Sequence, residues 1–152
     1  MLFDFLYALL AVWSIADAQK VLVYNSKYGH SHSNFLGTIA DTLVEAGMDV
    51  TSLIPVLNPM YGDGTKKSKI IKFDGTERYA TAYQEGLNRG DFSSLFKGAN
   101  NDPTSTIKFE PMLSYAFTGQ CNETIHSPGL IEKLTEEHFD VMITENFDFC
   151  GH

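Results

Sequence analysis

VLVYNSKYGHSHSNFLGTIADTLVEAGMDVTSLIP, residues 21–55, holds an apolar run, a small and polar stretch, a helical-period segment and a second apolar run, in that order. Val21-Leu22-Val23-Tyr24 has no polar alternation, which is what a parallel strand covered on both faces requires. Asn25 to Ser33 then reads as a polar loop. Leu36, Ile39, Ala40, Leu43 and Val44 recur at the spacing that places them on one face of a helix, with Thr38, Asp41, Thr42 and Glu45 on the other. Gly47 is positioned to close that helix, because glycine takes the left-handed conformation at low cost, and Val50 to Ile54 begins a second strand. The economical reading is a right-handed βαβ unit. In such sheets ligands bind beyond the carboxyl ends of the strands, and here that edge carries Tyr28, Gly29, His30, Ser31, His32, Ser33 and Asn34.

Outward from this unit the same rules give further elements. Asn58 to Thr65, with Pro59, Gly62 and Gly64, reads as a loop, and Lys69 to Phe73 as a short strand. Arg78 to Leu95 has a modest helical pattern broken near Gly90, and Gly98 to Thr106 is rich in turn formers. Ile107 to Ile125 and Leu130 to Leu134 read as helices, separated by Ser127-Pro128-Gly129. Phe139 to Thr144 is the last strand, and it delivers Glu145 to a strand terminus as the first strand delivers His32 to its loop. The expected class is α/β, a Rossmann-like parallel sheet with helices on both faces.

Composition bounds the function. A chain of 152 residues that is 43% hydrophobic can bury the core of one ordinary domain. A net charge of −8, with lysines and arginines scattered apart from Lys66, Lys67 and Lys69, leaves no basic stripe to neutralise phosphates and excludes a nucleic-acid surface. Met1 to Ala18 ends a nearly unbroken apolar run, Leu6 to Ile15, with Ala16-Asp17-Ala18. This is the form of a secretory signal peptide, which divides the chain into 1–18 and a mature domain 19–152. The n-region carries Asp4 and no Lys or Arg, so the alternative is a buried or interfacial amino-terminal helix. Asn122-Glu123-Thr124 is an N-glycosylation sequon, consistent with the secretory pathway. Cys121 and Cys150 allow at most one intramolecular disulfide, and two unpaired thiols remain equally open. His30-x-His32 has the spacing of a zinc-binding pair, but a site needs three or four ligands, and His126, His138 and His152 show no supporting spacing; no metal is expected.

Gly29-His30-Ser31-His32-Ser33-Asn34-Phe35 after the first strand, together with Phe139 to Gly151 (FDVMITENFDFCG), carries a family resemblance. In this combination the chain resembles the amino-terminal domain of animal UDP-glycosyltransferases, the UDP-glucuronosyltransferase group, over most of its length. The resemblance implies the amino-terminal half of a GT-B architecture, in which two Rossmann-like domains face a cleft. The first domain holds a small lipophilic acceptor and the second holds a UDP-sugar, either UDP-glucuronate or UDP-glucose. It also implies an inverting transferase of the endoplasmic reticulum lumen, membrane-bound in full-length relatives. His32 and Glu145 are then the catalytic pair, Ser33, Asn34 and Phe35 contact the acceptor, and Asn122 bears a glycan. The 152 residues contain no Trp-x-Pro-Gln donor motif and no second Rossmann half, so no UDP-sugar is expected to be held by this chain alone.

Elementary chemistry agrees with the role given to His32. Transfer of a sugar to a hydroxyl needs a base to take the proton as oxygen attacks the anomeric carbon, and imidazole titrates in the required range. A carboxylate on the other ring nitrogen fixes the tautomer and stabilises the imidazolium, as in hydrolase triads. Glu145 is the candidate, one methylene longer than the aspartate more usual in the family, with Asp148 as the reserve. The bland reading of His32 is a loop residue bonded to backbone. Leu57, Met60, Tyr61, Phe92, Leu95, Phe96, Met112 and Phe117 are of the types that line acceptor pockets and equally of the types that fill cores. Three functions follow: the acceptor half of a UDP-glycosyltransferase; a non-catalytic, acceptor-binding or subunit-modulating relative, forming homo- or hetero-oligomers with full-length transferases; and an unrelated nucleotide-binding domain. The last lacks its signature, since Asn25 to His30 matches neither GxGxxG nor a P-loop.

Overall fold

The computed structural model describes residues 18–75, 77–88, 103–146 and 148–151. Strands β1 (Lys20–Tyr24), β2 (Asp49–Val56), β3 (Lys69–Asp74) and β4 (Val141–Ile143) form one sheet in the order β3-β2-β1-β4, with every pairing parallel. Helices α1 (His30–Glu45), α2 (Glu77–Asn88), α3 (Pro103–Ile125) and α4 (Leu130–Glu136) connect them, and a short 3-10 turn spans Phe149–Gly151. This is the expected Rossmann-like α/β arrangement. Its first three strands run outward in one direction from β1 and the fourth lies on β1's other side, so the strand order reverses between β1 and β4.

The unbroken apolar character of β1 reflects cover on both faces. Val21 and Val23 pack with Val50 against Leu36 and Ala40 of α1, while Leu22 and Tyr24 pack with Leu53 against Leu130 of α4. Each fully buried Val or Leu contributes about 1.5–3 kcal/mol, so the alternation of β1 between two helical layers anchors the domain. A third cluster, Tyr28, Leu57, Tyr83 and Ala116, joins α2 and α3 to the loops that follow β1 and β2.

Three boundaries depart from the sequence reading. α1 begins at His30, so His30, His32 and Ser33 lie in its first turns and not in a loop. Gly29, in extended conformation (φ −139°, ψ 140°), turns the chain into the helix, and the Ser33 N–H donates to the Gly29 carbonyl at 2.9 Å. The weak helix formers at this end are held by a tertiary contact that overrides their propensity. A Cβ on Gly37 would stand 2.1 Å from the Gly64 carbonyl carbon, and one on Gly64 (φ 78°) would stand 1.8 Å from the Ser33 carbonyl oxygen, so helix and turn meet backbone to backbone. α3 begins at Pro103, inside the stretch expected to be a connection; proline suits a first helical turn, where its missing N–H has no partner to lose. β4 is only three residues long, within the longer strand expected from Phe139 to Thr144. The signal-like residues 1–17, and residues 89–102 between α2 and α3, lie outside the described residues.

Candidate active site

β1 and β4 are adjacent and parallel, with Val21 opposite Val141 and Val23 opposite Ile143. Their carboxyl ends therefore open side by side at the point where strand order reverses, the usual ligand crevice of such sheets. Past β1 the chain turns through Tyr28 and Gly29 into α1, whose first turn projects His32; past β4 comes Glu145. The His32 Nδ1 lies 2.7 Å from the Glu145 Oε2. The Tyr28 hydroxyl lies 2.6 Å from the same Nδ1 and donates to the same Oε2 at 3.0 Å. A carboxylate oxygen at 2.7 Å favours the proton on Nδ1, the tautomer that in the neutral ring has its lone pair on Nε2.

The His32 side chain is 37% exposed and Glu145 20% exposed, so the pair sits at the mouth of the crevice, not sealed beneath it. Tyr28 is buried, and desolvation, reinforced by its hydrogen bond to Glu145 and by the carboxylate's charge, pushes its hydroxyl well above the ordinary tyrosine range. Burial and the neighbouring carboxylate thus favour its neutral, donating form.

The residues flanking His32 go to different places. Ser33 is buried, its carbonyl accepts from Asn25 Nδ2 at 3.2 Å, and its hydroxyl has no hydrogen-bond partner among the described residues. Asn34 is exposed with its amide 3.3 Å from the His30 ring nitrogens. Phe35 is exposed and lies with Thr38, Ile39, Thr42 and Leu43 along a shallow groove of about 210 Å³ on the outer face of α1. His30 is exposed, its ring edge-on to Tyr61 at 6.1 Å. Asp148, the reserve carboxylate, does not reach His32: its Oδ2 accepts from the Tyr24 hydroxyl at 3.4 Å and its Oδ1 from the Cys150 N–H at 3.0 Å. Of the apolar pocket candidates, Leu57 is core, Met60 is exposed and Phe117 packs edge-on to Tyr28 at 5.1 Å. Phe92, Leu95 and Phe96 lie outside the described residues. A cavity of about 680 Å³ between α2 and α3 is bordered, among the described residues, by Tyr79, Tyr115, Thr118 and Asn122 and not by Leu57, Met60, Tyr61 or Phe117.

On the β2–β3 side of the sheet a charged cluster pins the loop before β3. Lys27, buried, reaches Asp63 at 2.9 Å, and Lys72 of β3 reaches the other oxygen at the same distance. These two ammonium groups hold the Asp63 carboxyl below its usual range against the opposing effect of burial. On the far side, Cys121 of α3 and Cys150 form a disulfide, with Cα atoms 5.3 Å apart, which ties the segment after Glu145 to α3. Asn122 beside it is exposed, whereas Thr124 of the same sequon is buried with its hydroxyl donating to the Gln120 carbonyl at 2.8 Å. Among the described residues no group of three or more His, Cys, Asp or Glu is placed to hold a metal ion, and no helix is long and apolar enough to cross a membrane.

Tyr28 is the site residue that sequence reasoning passed over. It was visible as an edge residue four positions before His32, but nothing in its type or spacing shows that a buried phenol would reach Glu145, which lies 117 residues away.

No family model and no solved structure matches the chain. Curated proteins do. The Caenorhabditis elegans protein ugt-48, named as a UDP-glucuronosyltransferase, is 29% identical over 93% of this chain and 27% of its own length. UDP-glucuronosyltransferase 2B17 of Rattus norvegicus is 26% identical over 87% of the chain and 25% of its own length, and UDP-glucuronosyltransferase 3A2 of Homo sapiens 24% identical over 90% and 25%. The chain thus spans about a quarter of the length of the curated relatives it matches, and along nearly all of its own length it is similar to animal UDP-glucuronosyltransferases, as its two motifs lead one to expect.

Proposed function

We propose that this chain is the acceptor-binding, amino-terminal half of a GT-B UDP-glycosyltransferase, and that His32 is the base of an inverting transfer from a UDP-sugar to a hydroxyl of a small lipophilic acceptor. The acceptor O–H bond breaks as its proton passes to His32 Nε2. The oxygen's electron pair forms the new bond to the anomeric carbon, and the bond from that carbon to the diphosphate breaks, so UDP leaves with the pair. Glu145, accepting from Nδ1–H, holds the ring in the tautomer with the lone pair on Nε2 and stabilises the imidazolium as it forms. The observation that carries this reading is the 2.7 Å contact of His32 with Glu145 at the carboxyl ends of β1 and β4. Similarity to proteins named as UDP-glucuronosyltransferases supports the reaction class.

Ser33, Asn34 and Phe35 were the acceptor contacts expected from the resemblance. Phe35 is the one of the three that offers an exposed apolar surface, whereas Ser33 serves the packing beneath the site. The Cys121–Cys150 disulfide supports an oxidising compartment, in keeping with a signal peptide at residues 1–18 and the lumen of the endoplasmic reticulum. A glycan on Asn122 would be added before α3 packs, because the Thr124 hydroxyl is buried afterwards.

The test is a transferase that carries this chain as its amino-terminal part. His32→Ala should lower kcat for a phenolic acceptor by about two to four orders of magnitude, the range for loss of a general base, while His30→Ala leaves it nearly unchanged. Normal turnover in His32→Ala, with loss in His30→Ala, would move the base to the other histidine.

A further inference from the structure

We infer that Tyr28 is the third member of the site, a positioning residue whose phenol clamps Glu145 and His32 in register. The inference rests on the catalytic reading of His32 and Glu145. A glutamate side chain has three rotatable torsions, and one that is only partly buried samples several rotamers unless something holds it. Here the Tyr28 O–H donates to Oε2, the same oxygen that accepts from His32 Nδ1, at 3.0 Å. The phenol oxygen at 2.6 Å gives Nδ1–H a second acceptor, so the three groups close a triangle. The Tyr28 and His32 rings also meet, with centroids 4.5 Å apart.

The clamp is itself fixed, which a chance surface contact would not be. Tyr28 is 4% exposed. Its N–H donates to the Ser26 carbonyl at 2.9 Å, its own carbonyl accepts from the buried Tyr83 hydroxyl of α2, and its ring meets Phe117 of α3 edge-on. The site carboxylate, on the loop after β4, is thus referred to α2 and α3 through one phenol. Because that phenol is kept protonated, it cannot become a second anion beside Glu145. Donation to Oε2 orients the carboxylate while leaving its charge for the imidazolium, the arrangement expected of a group that supports an acid–base pair without joining the proton transfer.

The test uses Tyr28→Phe, which keeps the ring and removes the hydroxyl. In the isolated 152-residue chain, nitrogen-15 spectra of His32 should show the Nδ1–H tautomer dominant in the wild type. In Tyr28→Phe the population should shift toward Nε2–H, the form that predominates in free imidazole side chains. A tautomer ratio unchanged by Tyr28→Phe overturns the inference. If that variant does not fold, the wild-type chain decides: a Tyr28 hydroxyl proton held on Glu145 gives its own resonance, absent in Glu145→Ala, and one averaged with water overturns the clamp. In the transferase carrying this chain, Tyr28→Phe should reduce kcat by about tenfold or more with little change in KM, the signature of a lost positioning contact rather than lost binding. The tautomer readout is independent of turnover. A result in which His32→Ala stays active would therefore remove the catalytic reading and leave the clamp standing, and a changed KM with unchanged kcat and tautomer would remove the clamp alone.

Discussion

At the scale of single residues, the chemistry depends on which oxygens surround one imidazole nitrogen. Glu145 and Tyr28 both approach His32 Nδ1. Charge and position can be separated experimentally. Glu145→Gln keeps an oxygen acceptor of the same length and removes the charge, so the ring keeps its orientation while the imidazolium loses its counter-ion. The expected outcome is a kcat below that of the parent transferase but above that of His32→Ala, with KM little changed. Steady-state rates of the three enzymes on one phenol check the order. A Glu145→Gln rate equal to the parent's would mean that the carboxylate's charge is not used.

At the scale of elements, the placement of α1 is decided by the turn that runs beside it. Asp41, on the polar side of α1, accepts from the Thr65 hydroxyl and from the N–H groups of Lys66 and Lys67 at about 3 Å. Burial acts to raise the Asp41 carboxyl, but these hydrogen bonds, led by that of Thr65, outweigh it and hold the carboxyl below its usual value. The sign of the pH dependence follows. A carboxyl depressed in the folded state adds stability that is fully present above its unfolded value, near 3.9, and is lost as pH falls through the lower folded value. Asp41→Asn should therefore unfold at lower denaturant than the wild type at pH 7, and the gap should narrow by pH 3. Chemical denaturation of both chains at the two pH values checks it, and a gap independent of pH would show that the carboxyl's charge is not what holds the turn.

At the scale of the whole molecule, the reaction needs more than the crevice. In the reaction proposed above, the base and its carboxylate stand at one wall, and stabilising and positioning the departing UDP falls to groups outside this chain, effects that supply much of a transferase's rate. Residues 19–152 alone should bind a small lipophilic phenol weakly and form no glycoside from UDP-glucuronate or UDP-glucose. Calorimetric titration with the phenol and product analysis after incubation with both donors provide the check. Glycoside formed by this chain alone would overturn the division of labour, and altered activity of a co-expressed full-length transferase would favour the modulating reading.

How much of this was legible in the sequence differs by range. Apolar runs and helical spacing are local patterns, so Val21 to Ile54 determined a strand, a helix and a second strand, and with them a parallel α/β sheet, without any knowledge of distant contacts. The pairing of His32 with Glu145 was legible only through the family resemblance, since the two are 113 residues apart and neither alone announces the other. Tertiary structure alone decided the rest. It started α1 at His30 because a backbone contact at Gly37 and Gly64, far apart in sequence, outweighs weak helix formers. It joined Cys121 to Cys150, which cysteine count left open. It turned Asp148 toward Tyr24, and it brought a buried Tyr28 onto the carboxylate. Local periodicity reports which face of an element is buried, but which side chains meet across the strand ends depends on strand order, and only the packed sheet sets that.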